Sequence, residues 1–493
     1  MAAIRRIYTR MLLCYLMLCL PFVWVTVYVF SQHKTSTEKL SNKKMDNIYA
    51  AINVNHSSSN RQDDTFLSGW SLQDGNSERF SVANASEVGL DVGRTEWEQY
   101  QKFVKMDARA PRRTTMLGYS YRVELIGNRP TTQGLFVRIE ERYQNRTTKG
   151  GSTFVITSDG YGQLLCPYRD MFNGTYFAWC PPIVTGQRRA ITVVLQFVDF
   201  RAFTIARLQS IKYVIGHHSV RLDRFPKVPE PLNMPEITSV LKNYMNKKDV
   251  VEWFEENGSW IVQLASGQRF ITLETHEMCR CIKRMKRVVM IGASHIRYVF
   301  DYIAEQCYNR KKTGFFYLSH AAIENLVYLV GNYNNEFDRL TRRRIFGITL
   351  RKDDVIFTQW GTHPLVKPGL KHTLDPAIKK QVKALVALRK KAGVPASNFV
   401  VVTQPPLPYH ETGLGYNGNR NSACVAVVTR QFKSLLAVHN FNVFDQFSIL
   451  RPQQEQDVCF GHYMCRTFNG KHTRVYGGVG IHVAKLMMAH VCR

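Results

Sequence analysis

The sequence predicts an α/β chain. Its C-terminal part, residues 283–493, reads as a three-layer α/β/α domain with a mostly parallel sheet, preceded by a β-sandwich over 110–216 and a transmembrane helix over 11–30. Three observations carry this reading. After residue 283, strand-type apolar runs alternate with helix-type segments, the pattern of a parallel sheet covered on both faces. Before it, short alternating strands follow one another between turn residues, the pattern of a sandwich. At the start, "MLLCYLMLCLPFVWVTVYVF" runs for twenty residues without a charge, long enough to span a bilayer core.

Arg5, Arg6 and Arg10 precede that apolar run and favour a cytosolic tail over residues 1–10, with everything after residue 30 lumenal or extracellular. A cleaved signal peptide is the alternative, but the apolar core is long for one and no clear small-residue cleavage site follows. Five N-glycosylation sequons, at Asn55, Asn84, Asn145, Asn173 and Asn257, agree with a lumenal chain. Nine of the eleven cysteines lie beyond the apolar run, where disulfides form, and the odd number leaves one thiol free or paired between chains.

Residues 31–109 are rich in Ser, Asn, Lys, Asp and Glu and read as a flexible stem. In the sandwich segment, "YRVELIG", "GLFVRIEERY", "STFVITS", "TYFAWCPP" and "AITVVLQFV" are the strands. Cys166 and Cys180 flank an Asn173-Gly174 turn signal, so a local disulfide between them is expected. The run "NGTY" followed by "PPIVTGQRRAITVVL" resembles immunoglobulin- or filamin-type domains. Residues 217–282 read as a connector. His276, Glu277, Cys279 and Cys281 in it invite a metal reading, but the spacing is not that of paired ligands, and disulfides are expected rather than a metal.

In the C-terminal part, "RVVMIGASHIRYVF" is an apolar strand that breaks at Gly292 and presents Ser294 before a helix. "DDVIFTQW" and "NFVVVTQ" are further strands. "LDPAIKKQVKALVALRKKAG" is a helix that Asp375 would cap and Gly393 would stop. Sites in such a sheet gather at the carboxyl ends of the strands, which is where Ser294 falls. Serine is also a favoured helix N-cap, so the bland reading is that Ser294 only caps the helix behind it. A catalytic serine needs a histidine to take its proton and usually a carboxylate to orient that histidine. "QDVCFGHYMC" supplies Asp457 and His462, in the chain order Ser, Asp, His.

That order, with "DVIFTQWGTHPL" in between, resembles the PC-esterase branch of the SGNH/GDSL hydrolases. Together with the sandwich and the N-terminal anchor, residues 110–493 resemble the neurexophilin-and-PC-esterase (NXPE) family. The block reads "GAS" where the family has "GDS", four residues separate Asp457 from His462 where two are usual, and the oxyanion-hole asparagine is missing from "QWGTHPL". Oxyanion donors would then be the backbone N–H groups of Ser294 and Gly361, with Gly331 as the second-block glycine and His363 as a substrate contact. The resemblance implies an SGNH-like fold and a Golgi or other secretory-pathway membrane enzyme. It would move an acyl group, an acetyl above all, onto a glycan hydroxyl such as one of sialic acid, with acetyl-CoA as donor and no bound cofactor. A carbohydrate O-acetyl esterase and a non-catalytic glycan-binding scaffold are the alternatives.

The formal net charge of +28 points to an acidic partner. Basic clusters fall at 283–287, 339–344, 351–352 and 389–391. Behind a membrane anchor that partner is an acidic glycan or an anionic membrane surface rather than nucleic acid, the alternative being a solvated basic surface with no specific ligand.

Overall fold

The computed structural model describes residues 82–83, 93–106, 117–126, 134–159, 162–182, 188–203, 213–221, 234–256, 259–310, 320–330, 344–345, 348–359, 370–407, 421–455, 459–460, 464–465 and 479–492. The chain divides into two compact units, Met1–Glu78 and Arg79–Arg493, and all described residues belong to the second.

Two antiparallel layers form its first half. A five-stranded sheet pairs Tyr119–Ile126, Leu135–Tyr143, Thr175–Cys180 and Tyr168–Asp170 in that order, with Arg146–Thr147 off its edge. Period-2 alternation sends Leu135, Val137, Ile139, Tyr176, Ala178 and Cys180 into a core shared with Phe154, Ile156, Ile191, Val193 and Leu195 of the facing sheet. Phe154 meets Tyr176 edge to face at 4.8 Å between ring centroids. Cys166 and Cys180 are joined by a disulfide, as the sequence leads one to expect.

The facing sheet has eight strands and draws on more of the chain than the sandwich segment. Residues 217–282, read from sequence as a connector, contribute the antiparallel pair Val251–Glu256 and Ser259–Leu264, and Val251–Glu256 also pairs with Gly162–Leu165. Trp253 is fully buried, and its indole N–H donates to the Ile449 carbonyl at 2.6 Å.

A six-stranded sheet organises the second half, in the order His320–Ile323, Leu326–Val330, Arg287–Gly292, Asp354–Gln359, Phe399–Val402, Asn442–Phe444. Only the edge strand His320–Ile323 pairs antiparallel. Apolar side chains point to both faces. Val288 and Met290 pack with helices Ser294–Tyr308, Thr275–Arg284 and Val479–Ala489, while Val289 and Ile291 pack with Leu370–Ala392 and Ser422–Val438. Helix Leu370–Ala392 starts ahead of Asp375, so that residue is not its cap. The helix stops at Gly393 (φ 67°), whose N–H bonds to the Arg389 carbonyl at 3.0 Å.

These observations correct the fold class expected from the sequence. The described residues form a mixed helix-and-strand protein in which most strand pairs are antiparallel, rather than an α/β chain with a mostly parallel, SGNH-like three-layer core behind a separate Ig/filamin-like sandwich. The physical reason is that short hairpins, not helical crossovers, connect most strands between 119 and 270. The expected N-terminal transmembrane helix, residues 11–30, lies outside the described residues, among which no helix is long and apolar enough to cross a membrane.

The stem expectation is also revised at its end. Arg94–Lys105 is a helix, with Tyr100 and Phe103 buried against Phe203 and the helix Ser422–Val438. Gly93, at φ 84°, leads into it where an added Cβ would sit 2.8 Å from the Cβ of Ala426. Glu96 forms a buried ion pair with Arg451, and the Gln99 amide donates to the Ser152 carbonyl (2.8 Å) and to Asp170 (2.9 Å). The helix is therefore riveted to both halves.

Candidate functional site

Ser294 is the first residue of helix Ser294–Tyr308, two positions past the end of the buried strand Arg287–Gly292. The N-cap position is held by Ala293, in extended conformation, with no side chain capping the helix. Ser294 is half-buried and is not the cap.

The turn ahead of it is tightly held. A Cβ on Gly292 would come within 2.6 Å of Ile296 Cγ2 and 3.0 Å of the Gln359 carbonyl oxygen, so only glycine lets the helix start this close to the neighbouring strand. The Tyr328 hydroxyl donates to the Gly292 carbonyl at 3.0 Å, fixing the peptide just before Ala293.

Because the central strands run parallel, their carboxyl ends form one edge, and Ser294 shares it with a buried polar network. Gln359, ending its strand, donates to Gln446 Oε1 (2.8 Å) and to the Thr403 carbonyl (3.3 Å). The Thr403 hydroxyl donates to Asp445 at 3.2 Å and accepts from the Phe447 N–H at 3.0 Å. Asp445 is held further by the Ser448 hydroxyl (2.7 Å) and by an ion pair with Lys433. Tyr328, Gln359, Thr403 and Asp445 escaped the sequence reading. Their signal was weak: each is a polar residue at or near a strand end, and of the four only Gln359 falls within "DVIFTQWGTHPL".

Of the other expected site residues, Asp457, His462, Gly361, Gly331 and His363 lie outside the described residues. Two short strands, Cys459–Phe460 and Met464–Cys465, bracket 461–463 and pair with Cys459 opposite Cys465. Gly331 directly follows the end of strand Leu326–Val330, and Gly361 comes two residues after Asp354–Gln359, so in sequence both adjoin the carboxyl edge. His482 packs edge-on against Trp253, and burial followed by the charge of Lys485 lowers its pKa to about 4. It is neutral at physiological pH and serves the core.

The cysteines that invited a metal reading are bonded, Cys279 to Cys307 and Cys281 to Cys492. These bonds tie helix Thr275–Arg284 to the end of helix Ser294–Tyr308 and to the C-terminus. Among the described residues no group of His, Cys, Asp and Glu is arranged to hold a metal ion, and Cys424 is a buried free thiol whose pKa burial raises. No protein-family model, curated protein or solved structure matches the chain.

Proposed function

We propose that this protein is a serine-dependent O-acyltransferase of the secretory pathway, most simply an O-acetyltransferase acting on a hydroxyl of an acidic glycan such as a sialylated one. The observation that carries the reading is the position of Ser294: at the carboxyl edge of a central parallel strand, first in its helix, with the capping position taken by Ala293. The three disulfides and the exposed sequon residues Asn145 and Asn173 support an oxidising, glycosylating compartment.

In this reading Ser294 Oγ attacks the carbonyl carbon of the acyl donor while His462 takes its proton. The carbonyl electrons move to oxygen and are met by N–H groups at the start of helix Ser294–Tyr308 and at Gly361. Collapse breaks the bond to the leaving group, a thiol if acetyl-CoA is the donor, and His462 returns the proton to it. The glycan hydroxyl then attacks the acyl-serine, His462 again takes and returns one proton, and Ser294 is regenerated. Asp457 orients the imidazole.

Acyl transfer from acetyl-CoA to a sialylated acceptor, measured beside labelling by a fluorophosphonate probe, tests the proposal. Ser294→Ala abolishes both while the protein stays folded, and His462→Ala causes a comparably large loss. Full transfer by folded Ser294→Ala would overturn it. A folded wild-type chain that neither labels nor transfers would point to a glycan-binding scaffold instead.

A further inference from the structure

Helix Leu370–Ala392 connects two parallel neighbours, Asp354–Gln359 and Phe399–Val402, so it runs back from the carboxyl edge of the sheet to the amino edge. Its apolar side is used up: Ile378, Val382, Leu385 and Leu388 are buried against the sheet and its neighbouring helix. The outward side is almost wholly lysine. Lys379, Lys380, Lys383, Lys390 and Lys391 are all exposed. At about 100° per residue, Lys379, Lys383 and Lys390 fall within about 40° of one another, and Lys380 and Lys391 widen the arc to about 120°. Twelve positions at about 1.5 Å each make the strip about 18 Å long. Arg389 donates to the His439 and Asn440 carbonyls at 3.0 Å and lies 4.2 Å from the centre of the Phe441 ring.

The strip continues past the helix. A Cβ on Gly393 would stand 3.8 Å from the Cβ of Lys352, which is exposed, as is Arg351 beside it. The helix has one acidic residue, Asp375, and it precedes the strip.

From this we infer that the outward face of helix Leu370–Ala392, extended by Lys352, is a docking track for a linear polyanionic glycan, lying along the strand axis and leading toward the edge that carries Ser294. Lys379, Lys383 and Lys390 set three like charges along one line of the helix, and such a field attracts a partner of opposite charge. The row is long and open rather than a closed cage, which suits a chain of spaced charges better than one small anion. An anionic membrane fits less well. Membrane-surface helices put an apolar face into the headgroup region, and here that face is committed to the core. Between Lys379 and Lys391 the outward arc carries Ala387 and no larger apolar side chain.

The inference names the acceptor for the proposed reaction, and so rests on that reading for its purpose. Binding itself is measured without catalysis, in the full-length protein carrying Ser294→Ala. The probe is polysialic acid, with dextran as the neutral control and phosphatidylserine-containing vesicles as the membrane arm. Reversing Lys379, Lys383 and Lys390 to Glu weakens polysialic acid binding by at least about tenfold at physiological salt and flattens its salt dependence, since three ionic contacts are lost. The same residues changed to Gln give a smaller loss in the same direction. Lys242, Lys247 and Lys248, exposed on another part of the molecule, give a control triple with the same change in net charge. That triple shifts affinity by less than about threefold through the general field alone. Equal losses from both triples, unchanged binding after reversal, or tighter binding to vesicles than to polysialic acid would each overturn the inference. Binding by the helix strip without any acyl transfer by the wild type would leave the track standing and refute the catalytic reading alone.

Discussion

Removing the carboxylate of Glu96 should be among the most damaging single changes in the described structure, although the residue lies in a stretch that reads as stem. Its side chain is 3% exposed and that of its partner, Arg451, 9%. Glu96→Ala therefore leaves a guanidinium in a site it shares with the Phe447 ring, 5.4 Å away, and without its counter-charge. Breaking one side of a buried pair costs about 3–5 kcal/mol, because the remaining charge keeps its desolvation penalty. For a cooperative unit of this size that is a fall in Tm on the order of 5 °C. Arg451→Met should cost a similar amount by stranding Glu96. The double variant Glu96→Gln with Arg451→Met carries no buried charge and should recover most of the loss, as apolar replacements of buried pairs often do. Urea unfolding of the two singles and the double, analysed as a cycle, measures the coupling. Single changes costing under about 1 kcal/mol, and adding simply in the double, would show an exposed and nearly worthless pair and refute the docking of helix Arg94–Lys105.

Two further outcomes can be checked directly. Gly292→Ala puts a Cβ 2.6 Å from Ile296 and 3.0 Å from the Gln359 carbonyl. It should cost about 1–3 kcal/mol by overpacking and, by moving the start of the helix, reduce fluorophosphonate labelling of Ser294 more than that stability loss accounts for. Normal labelling would mean that the turn does not position the serine. Asp170 is buried, and although the Gly151 and Phe172 N–H groups and the Gln99 amide favour its charged form, burial dominates and lifts its pKa to about 7. A carboxyl with a raised pKa holds its proton in the folded state where the unfolded chain has lost it, so stability should decline as pH rises from about 4 to 7 and level off above. The slope from this group is at most about 1.4 kcal/mol per pH unit, and burial raises Glu141 in the same direction. Asp170→Asn should flatten the profile, and an unchanged slope in urea titrations across that range would refute the assignment.

What could be read from the sequence followed the strength of local patterning. The strand at Ser294 was legible because four consecutive apolar residues, Val288 to Ile291, end at a glycine. Nothing local says that Ala293 takes the capping position, since that depends on how the chain leaves the strand. The Cys166–Cys180 bond was legible from fourteen residues of separation around a turn signal, whereas the Cys281–Cys492 bond spans 211 residues and depends on the finished fold. Helix Arg94–Lys105 was missed because its polar composition outweighed a helical spacing of apolar residues at Trp97, Tyr100, Phe103 and Val104. The hairpin within 217–282 had a usable signal, Asn257-Gly258 between two aromatic-containing runs, but the eight-stranded sheet it joins is built from partners far apart in sequence. The polar network at the carboxyl edge had only a weak one: Gln359, Thr403 and Asp445 meet because three parallel strands end together.

Helix Gln446–Glu455 shows why these pieces belong to one argument. It starts on the carboxyl edge, where Gln446 accepts from Gln359 and Asp445 just before it holds Thr403 and Lys433. One turn later the Ile449 carbonyl accepts from the Trp253 indole of the eight-stranded sheet, and Arg451 donates to Glu96 of the docking helix. It ends two residues ahead of Asp457 and seven ahead of His462 in the sequence. Strands and docking helix thus converge on ten residues, which the proposed acid–base segment follows in the sequence. A loss of the Glu96–Arg451 pair should therefore reach the proposed chemistry as well as stability: at a temperature where the Glu96→Ala protein is still fully folded, labelling of Ser294 should slow because His462 is less well held. Labelling at the wild-type rate under those conditions would separate the two, leaving the helix a purely structural bridge.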